Sequence, residues 1–333
     1  MTVLRRLRQF GIDPFLLGLL ASVALGLFLP AQGAFASLMS HATFFAVSLL
    51  FFLYGARLAP KTLLEGLTHW RLQALVFALT FAILPILGLL ASRAGAGPLP
   101  PDLAQGLLYM TLMPSTVQSS IAFTSIARGN VPAALCSASA SNILGVVLSP
   151  ALVALLMATR GGGMSLAAIE DVALQLVLPF ALGQCVRPLI GAALHRRKTL
   201  VSFVDRGSIL LIVYVAFSEG TAAGAWTHLT WSALALVAGL DFAVLAAALL
   251  VSTFLARRLG FPKKDEIAIV FCGSKKSMAN GVPMASILFP GRALGLFVLP
   301  LMLFHQIQLF ACALLARRYA ARGPDPAAKD AER

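Results

Sequence analysis

Long stretches of the chain are apolar on every side. They lack both the period-2 alternation of a half-buried strand and the single apolar stripe of a soluble amphipathic helix. Ten stretches of this kind are separated by turns rich in proline, glycine and charge, and each is long enough to cross a bilayer as a helix. The predicted spans are 13–30, 39–56, 72–92, 103–127, 131–158, 167–190, 205–224, 230–256, 265–289 and 291–316.

The composition excludes several classes of protein. Of 333 residues, 59% are hydrophobic and 12% are charged, whereas a soluble domain is about 45–50% apolar and about 25% charged. An ordinary soluble enzyme and a disordered chain are both excluded, and the all-round apolar segments disfavour a β-barrel. The four cysteines lie in apolar stretches without metal-ligand spacing and are interpreted as core residues.

The basic residues are distributed unevenly between the two sides of the predicted membrane protein. The net charge is +13. With the N-terminus inside, 21 of the 26 basic residues flank the inner ends, three lie in outer loops, and Lys275 and Lys276 fall within a span. This asymmetry follows the positive-inside rule and accounts for the charge without nucleic acid. It predicts a multi-pass protein of a bacterial-type inner membrane, with both termini cytoplasmic and the lipid bilayer as its surroundings.

Ten spans with both termini inside divide into five plus five. Because five is odd, the second half enters the membrane in the opposite orientation, as in many secondary transporters built from inverted repeats. The first repeat is predicted at 1–160 and the second at 161–320, joined by a glycine-rich link at 161–164. A polar tail at 321–333 is expected to be disordered.

Spans four and nine are both interrupted near their middles. Pro114 cannot donate a helix hydrogen bond, and span nine contains Gly273 among polar residues. Backbone groups freed by such breaks cannot face lipid, so two breaks at equivalent places indicate a midplane binding site. The alternative is a pair of simple kinks. The polar residues beside the breaks are Ser115, Thr116, Gln118, Ser119 and Ser120 in span four and Ser274, Lys275, Lys276, Ser277 and Asn280 in span nine.

Lys275 and Lys276 are the costliest residues of the predicted spans, since a lysine at a helix centre costs about 2.5–3.5 kcal/mol on insertion scales. If both are helical they point about 100° apart, so one can face a cavity and the other a protein partner. The functional interpretation is a cationic site for an anionic ligand, strengthened by the two half-helix N-termini. The alternative is a buried salt bridge to Asp241 in span eight.

The remaining polar residues of the spans rank below these. Ser139 and Asn142 in span five are expected to flank the crossing, or only to bond across helices. Gln175 in span six, with Ser137 and Ser141 in span five, is given the same two interpretations. The patch of His305, Gln306 and Gln308 in span ten is interpreted either as helix packing or as part of the site.

The chain resembles the bile acid:sodium symporter superfamily, in the branch related to the seventh member of the animal solute carrier 10 family. The resemblance covers nearly the whole chain. It rests on the ten spans, the Ala127-Arg128-Gly129-Asn130-Val131 end of span four, the Leu148-Ser149-Pro150 end of span five, and the tract from Gly273 to Met284 in span nine.

The resemblance implies a panel of spans one, two, six and seven beside a core of spans three to five and eight to ten. Spans four and nine would cross in the core at a sodium site, with substrate between the two units. The sodium-site pattern is not matched, because Val270, Phe271, Lys275 and Lys276 stand where a carboxylate and a Gln-Asn pair are expected. Ala134 and Ala138 replace expected hydroxyls.

The sequence therefore predicts a secondary transporter of an organic anion, such as a carboxylate or sulfate, coupled to sodium or protons and working by alternating access. The alternatives are a cation/proton antiporter and a channel or regulatory membrane protein. No catalytic motif is found, so no enzyme is expected. No cofactor is expected beyond an unmatched sodium site, and the protein is expected to be a monomer or a weak homodimer.

Overall fold

The computed structural model describes residues 14–57, 69–157, 173–289 and 293–322. These residues form helices joined by short turns and contain no extended strand. The glycine-rich link at 161–164 lies outside the described residues, as do the chain before residue 14 and the predicted tail beyond residue 322. The predicted all-helical membrane fold is confirmed at this level.

The helices follow the apolar stretches closely. In chain order they are α1 Pro14–Phe28, α2 Gly33–Arg57, α3 Trp70–Ala78, α4 Leu84–Gly95, α5 Pro101–Thr111, α6 Val117–Ile126, α7 Val131–Met157, α8 Leu178–Arg196, α9 Lys198–Ala222, α10 Trp231–Arg258, α11 Lys263–Gly273, α12 Met278–Leu288 and α13 Leu294–Ala320.

Among the residues that the structure describes, six helical stretches are long and apolar enough to cross a membrane by themselves. They are Gly33–Arg57, Trp70–Gly95, Val131–Met157, Thr199–Ala222, Trp231–Arg258 and Leu294–Ala320. Two shorter apolar helices, Phe15–Phe28 and Leu178–Leu194, overlap predicted spans one and six, and spans four and nine are each divided into two helices. Six crossings therefore stand on length and composition, whereas the total of ten and the inverted repeat stay predictions.

The third predicted span is interrupted as well, which the sequence analysis did not anticipate. Between α3 and α4 the chain makes a π-helical turn at Leu79–Ile83. The N–H of Leu84 bonds to the carbonyl of Leu79, five residues back. In the same five-residue pattern, the carbonyl of Thr80 would accept a hydrogen bond from the backbone N–H of residue 85, but residue 85 is proline and has no N–H. The proline therefore leaves one buried backbone carbonyl free for another partner.

The helices pack into two groups. Helices α1, α2, α8 and α9 contact mainly one another, and α2 against α8 is the most extensive helix pair. Helices α3 to α7 and α10 to α13 form the second group around the interrupted helices. Contacts between the groups run chiefly from α9 to α12 and α13. The panel and core that the resemblance implies, and their motion as separate units, stay predictions.

Glycines allow close approach within the first group. A Cβ at Gly55 of α2 would lie 2.1 Å from the Phe180 carbonyl oxygen, and a Cβ at Gly183 of α8 would lie 2.1 Å from the Phe52 carbonyl oxygen. Any side chain at either position would push the two backbones apart. Small residues at a helix crossing are a common means of association inside a membrane, where the hydrophobic effect between helices is weak.

The ends of the second group are fastened by polar side chains. Asn130, between α6 and α7, donates to Asp265 of α11 (2.7 Å), and its backbone N–H donates to the Lys264 carbonyl. Nearby, the buried Glu266 carboxylate accepts from Lys263, Arg257 and Tyr319. These bonds hold the N-terminal end of α11 in place, and the break follows at the other end of the same helix.

Candidate functional site

The two predicted breaks lie against each other. One separates α5 from α6, and the other separates α11 from α12. The backbone N–H of Ser277 donates to the Pro114 carbonyl (2.8 Å), and the Thr116 hydroxyl donates to the Lys276 carbonyl (2.7 Å). The Ser120 hydroxyl also donates to the Phe271 carbonyl (3.1 Å). The place where these two interrupted segments meet is called the crossing below.

The first break has a polar partner for each of its exposed carbonyls. Leu112 accepts from the Ser149 hydroxyl, Met113 from the Lys276 ammonium, and Ser115 from the Asn142 amide. Pro114 accepts from Ser277, as described above. Unsatisfied backbone groups in a membrane interior cost several kcal/mol each. Serine, asparagine and lysine side chains from other helices therefore make the unwound segment tolerable at this depth.

Lys276 is fully buried at the centre of the crossing. Its ammonium donates to the Met113 carbonyl and to the Thr80 carbonyl, each at 2.8 Å. Its backbone N–H donates to the side-chain oxygen of Gln308, and its carbonyl accepts from the Gln308 amide. One lysine thus joins the π turn, the first break and helix α13.

Lys275 is equally buried but has a different environment. Its nitrogen lies 3.8 Å from the centre of the Phe123 ring and 5.8 Å from that of Phe271. It has no hydrogen-bond partner. A cation over an aromatic face gains about 2 kcal/mol or more when it is desolvated, so the two rings partly offset the cost of burial.

Two details expected of the lysines differ in the structure. The lysines lie within the break predicted for span nine, and because Ser274–Ser277 is non-helical, the separation of about 100° between adjacent helical residues does not apply to them. The alternative salt bridge to Asp241 does not form either. Both carboxylate oxygens of Asp241 are buried without a hydrogen-bond partner, so neither ammonium is bound to them.

The remaining predicted residues are distributed over two surroundings. Buried inside the crossing are Pro114, Ser115, Ser120, Gly273, Ser274, Ser277 and Asn280. Asn280 donates to Asn142, which in turn holds the Ser115 carbonyl. Thr116, Ser119 and Asn142 are half-buried, and Gln118 is exposed. Ser139 is buried in α7, and Asp241 is buried in α10.

Sequence reasoning missed several residues that form the crossing. Gln308 was grouped with lower-ranked residues, although its amide holds both backbone groups of Lys276. Ser149 of α7 was given no role, although it satisfies a backbone carbonyl of the first break, and Ser141, grouped with the lower-ranked residues of span five, accepts from the Ser115 N–H. Thr80 contributes a backbone carbonyl, which no side-chain pattern reveals. The one available signal was Pro85, since a proline within an apolar span frees a carbonyl upstream.

The electrostatics of the crossing favour negative charge. Helices α6 and α12 begin there and helices α5 and α11 end there, so the helix dipoles offset one another in part and the positive charge comes from the two ammonium groups. Ser277 caps α12 by accepting from the Asn280 N–H, while α6 has no side-chain cap. The free N–H groups of the first turn of α6 adjoin the accessible side chains of Thr116 and Gln118.

Comparison with known proteins agrees with this arrangement. A profile of the SBF-like CPA transporter family matches residues 13–321. The chain is 53% identical over 325 residues to Uncharacterized protein PA2026 of Pseudomonas aeruginosa, covering 97% of this chain and 98% of that protein. It is 50% identical over 308 residues to Putative symporter YfeH of Escherichia coli, covering 92% and 93%. It is 28% identical over 321 residues to Sodium/bile acid cotransporter 7-A of Xenopus laevis, covering 95% and 93%.

The matched region includes both interrupted helices and both helix groups, and the relatives named for an activity are named as a symporter or a cotransporter. The chain is therefore a membrane transporter rather than an enzyme, and it belongs to the SBF-like CPA transporter family within the bile acid:sodium symporter superfamily.

Proposed function

We propose that the protein is a secondary transporter of a small organic anion, a carboxylate or a sulfate, and that it works by alternating access. The observation that carries the proposal is the buried positive charge of the crossing. Two ammonium groups meet there. Neither ammonium is bound to a carboxylate among the residues that the structure describes.

The accessible side of the crossing is the proposed binding surface for the anion. The exposed Gln118 side chain offers an amide donor there, beside the uncapped first turn of α6, while the hydroxyl of Thr116 and the amide of Asn142 already donate to backbone carbonyls. Inside the crossing, the Lys276 ammonium contacts backbone carbonyls rather than this surface. The lysines would therefore attract the anion through their field, while the Gln118 side chain and the N–H groups make the direct contacts.

The two helix groups provide the moving parts of the proposed mechanism. Substrate would bind between the group of α1, α2, α8 and α9 and the group that contains the crossing. Rocking one group against the other would expose the anion to each side in turn. Sodium and protons are the two candidate driving ions, and the basic helix ends support cytoplasmic termini in a bacterial-type inner membrane. A monomer or weak homodimer suffices, because one chain carries both groups.

Counterflow in proteoliposomes tests this proposal. Purified protein is reconstituted with a panel of aliphatic and aromatic carboxylates and sulfates, and uptake of a labelled anion is followed with the same anion inside or absent. A carrier is accelerated by internal substrate, whereas a channel is not. Imposed sodium and proton gradients are compared with neither gradient. Uptake without acceleration by any internal anion would contradict alternating access.

Lys275→Met tests the electrostatic part of the proposal, because it shortens the unbranched side chain by only one heavy atom and removes the charge. Two opposite unit charges about 8 Å apart attract by about 2 kcal/mol at an effective dielectric constant near 20. Loss of this attraction in Lys275→Met should raise the Kd of the anion roughly 30-fold. The matched control is Lys264→Met on the exposed end of α11, which we expect to leave the Kd unchanged. Equal Kd values for Lys275→Met and the parent chain would refute the charge argument.

Cation/proton antiport is the second candidate, and Asp241 is the observation that favours it. A fully buried carboxyl without a hydrogen-bond partner inside an apolar helix is costly unless it has a role. The same proteoliposomes decide between the two candidates. An antiporter would exchange sodium or potassium for protons without any organic anion present.

A further inference from the structure

Two backbone carbonyls, one from the π turn and one from the first break, point at one buried position in the crossing. The Thr80 carbonyl is freed by Pro85, and the Met113 carbonyl is freed by the break at Pro114. Both lie 2.8 Å from the nitrogen of Lys276. Thr80 also carries a buried hydroxyl without a hydrogen-bond partner. Three separate segments of the chain thus bring oxygen atoms and one positive charge together, far from solvent.

Carbonyls exposed by unwound helices are typical ligands of alkali cations in membrane transporters. Here the same type of ligand is used by an ammonium group that is covalently part of the chain. We propose that the Lys276 ammonium occupies a monovalent-cation site built into the crossing, and that the protein consequently binds no sodium ion there.

The charges around this position oppose a second cation. Lys275 is the neighbouring residue, and its ammonium is buried between Phe123 and Phe271. No carboxylate of the described residues hydrogen-bonds to either ammonium. The Lys275 ammonium has no hydrogen-bond partner, and the Lys276 ammonium donates to two backbone carbonyls. A sodium ion would have to displace the Lys276 ammonium from its carbonyls or lie beside it, and like charges repel strongly in a dry interior.

A tethered cation changes what the site does. A bound ion supplies its positive charge only while it is present, whereas Lys276 holds the two breaks together permanently. If the proposed function is correct, and this step rests on it, anion transport proceeds without sodium. The occupancy of the site by Lys276 does not rest on transport, so the two ideas can fail separately.

Thermal unfolding of the purified full-length chain tests the occupancy directly. The Tm is measured at constant ionic strength in chloride salts of sodium, potassium, ammonium and N-methylglucamine. The variants are Lys276→Ala, which removes the ammonium and leaves its space, and Lys276→Met, which fills the space without charge. Lys275→Ala is the matched control, because it deletes a neighbouring buried lysine that contacts no carbonyl.

The wild type is expected to show one Tm in all four salts. Lys276→Ala should have a lower Tm in N-methylglucamine chloride and recover with sodium or ammonium, saturating with concentration as expected for a ligand that binds the folded state. Lys276→Met and Lys275→Ala should show no such recovery.

A saturable sodium-dependent rise in the wild-type Tm would overturn the proposal. A folded Lys276→Ala protein with unchanged Tm and no response to any cation would overturn it as well. If Lys276→Ala cannot be purified in a folded form, the wild type alone decides: an equal Tm in sodium and N-methylglucamine supports the proposal, and a saturable rise with sodium overturns it. No transport is measured in this experiment, so an absence of anion flux would count against the proposed function alone.

Discussion

Gln308 shows how one side chain can hold an unwound segment. Its amide pairs with both the N–H and the carbonyl of Lys276, and it also bonds to the His305 ring (2.9 Å). Replacing it with leucine keeps much of its volume but leaves the Lys276 N–H buried without a partner. Such a loss costs about 1–3 kcal/mol. We therefore expect Gln308→Leu to lower the thermal stability of the purified protein.

The control for this prediction is Gln306→Leu on the same helix. Gln306 is only half-buried, and the structure records no hydrogen bond from its side chain to the crossing. Its replacement should leave the Tm nearly unchanged. Equal Tm losses in the two variants would mean that Gln308 acts through general packing of α13 and not through the backbone of Lys276.

At the scale of helices, the positions of the two breaks could be predicted from the sequence, but most of the hydrogen bonds that stabilise them could not. Pro114 and Gly273 interrupt long apolar runs, and these local signals are physical because proline lacks an N–H and glycine tolerates unusual backbone angles. The partners of Lys276 were not predictable in this way. Thr80, Met113 and Gln308 come from three distant segments, and they become neighbours only when the helices pack. The π turn was missed because Pro85 alone resembles an ordinary kink.

Helix α5 lies against the backbone of α13, and Gly106 makes this contact possible. A Cβ at Gly106 would lie 2.2 Å from the carbonyl oxygen of Phe297. Gly106→Ala should therefore push the two helices apart and destabilise the protein by about 1–3 kcal/mol, as overpacking of a dense interior does. The measurement is the free energy of unfolding in detergent, or the Tm where unfolding is irreversible.

Gly239→Ala is the matched control for this helix contact. Gly239 is also within a helix, but no atom lies within 4 Å of the position of its Cβ. Alanine is favoured over glycine in a helix interior by about 0.5–1 kcal/mol. The control should therefore be neutral or slightly stabilising. A Gly106→Ala protein as stable as Gly239→Ala would show that α5 and α13 do not approach as closely as described.

At the scale of the whole molecule, the division into two helix groups makes a mechanical prediction. Gly295 of α13 lies close to the backbone of Ala216 in α9 across the boundary between the groups, since a Cβ at Gly295 would lie 3.2 Å from the Ala216 carbonyl oxygen and 2.6 Å from the Trp226 ring. Cysteines at both positions, in a chain whose four native cysteines are alanine, can be oxidised to a disulfide. Alternating access requires the groups to move relative to each other, so we expect oxidation to stop anion counterflow and reduction to restore it.

A disulfide within one group separates this effect from general damage. A Cβ at Gly18 of α1 would lie 3.9 Å from the Cγ of Leu210 in α9, the position that a cysteine sulfur would take, and both helices belong to the first group. A cysteine pair at these positions should leave counterflow active after oxidation, because the two helices move together. If the bond between the groups is formed quantitatively and counterflow continues, the groups are not the moving parts. If both bonds stop counterflow, motion within the first group is required, and the boundary between rigid units lies elsewhere.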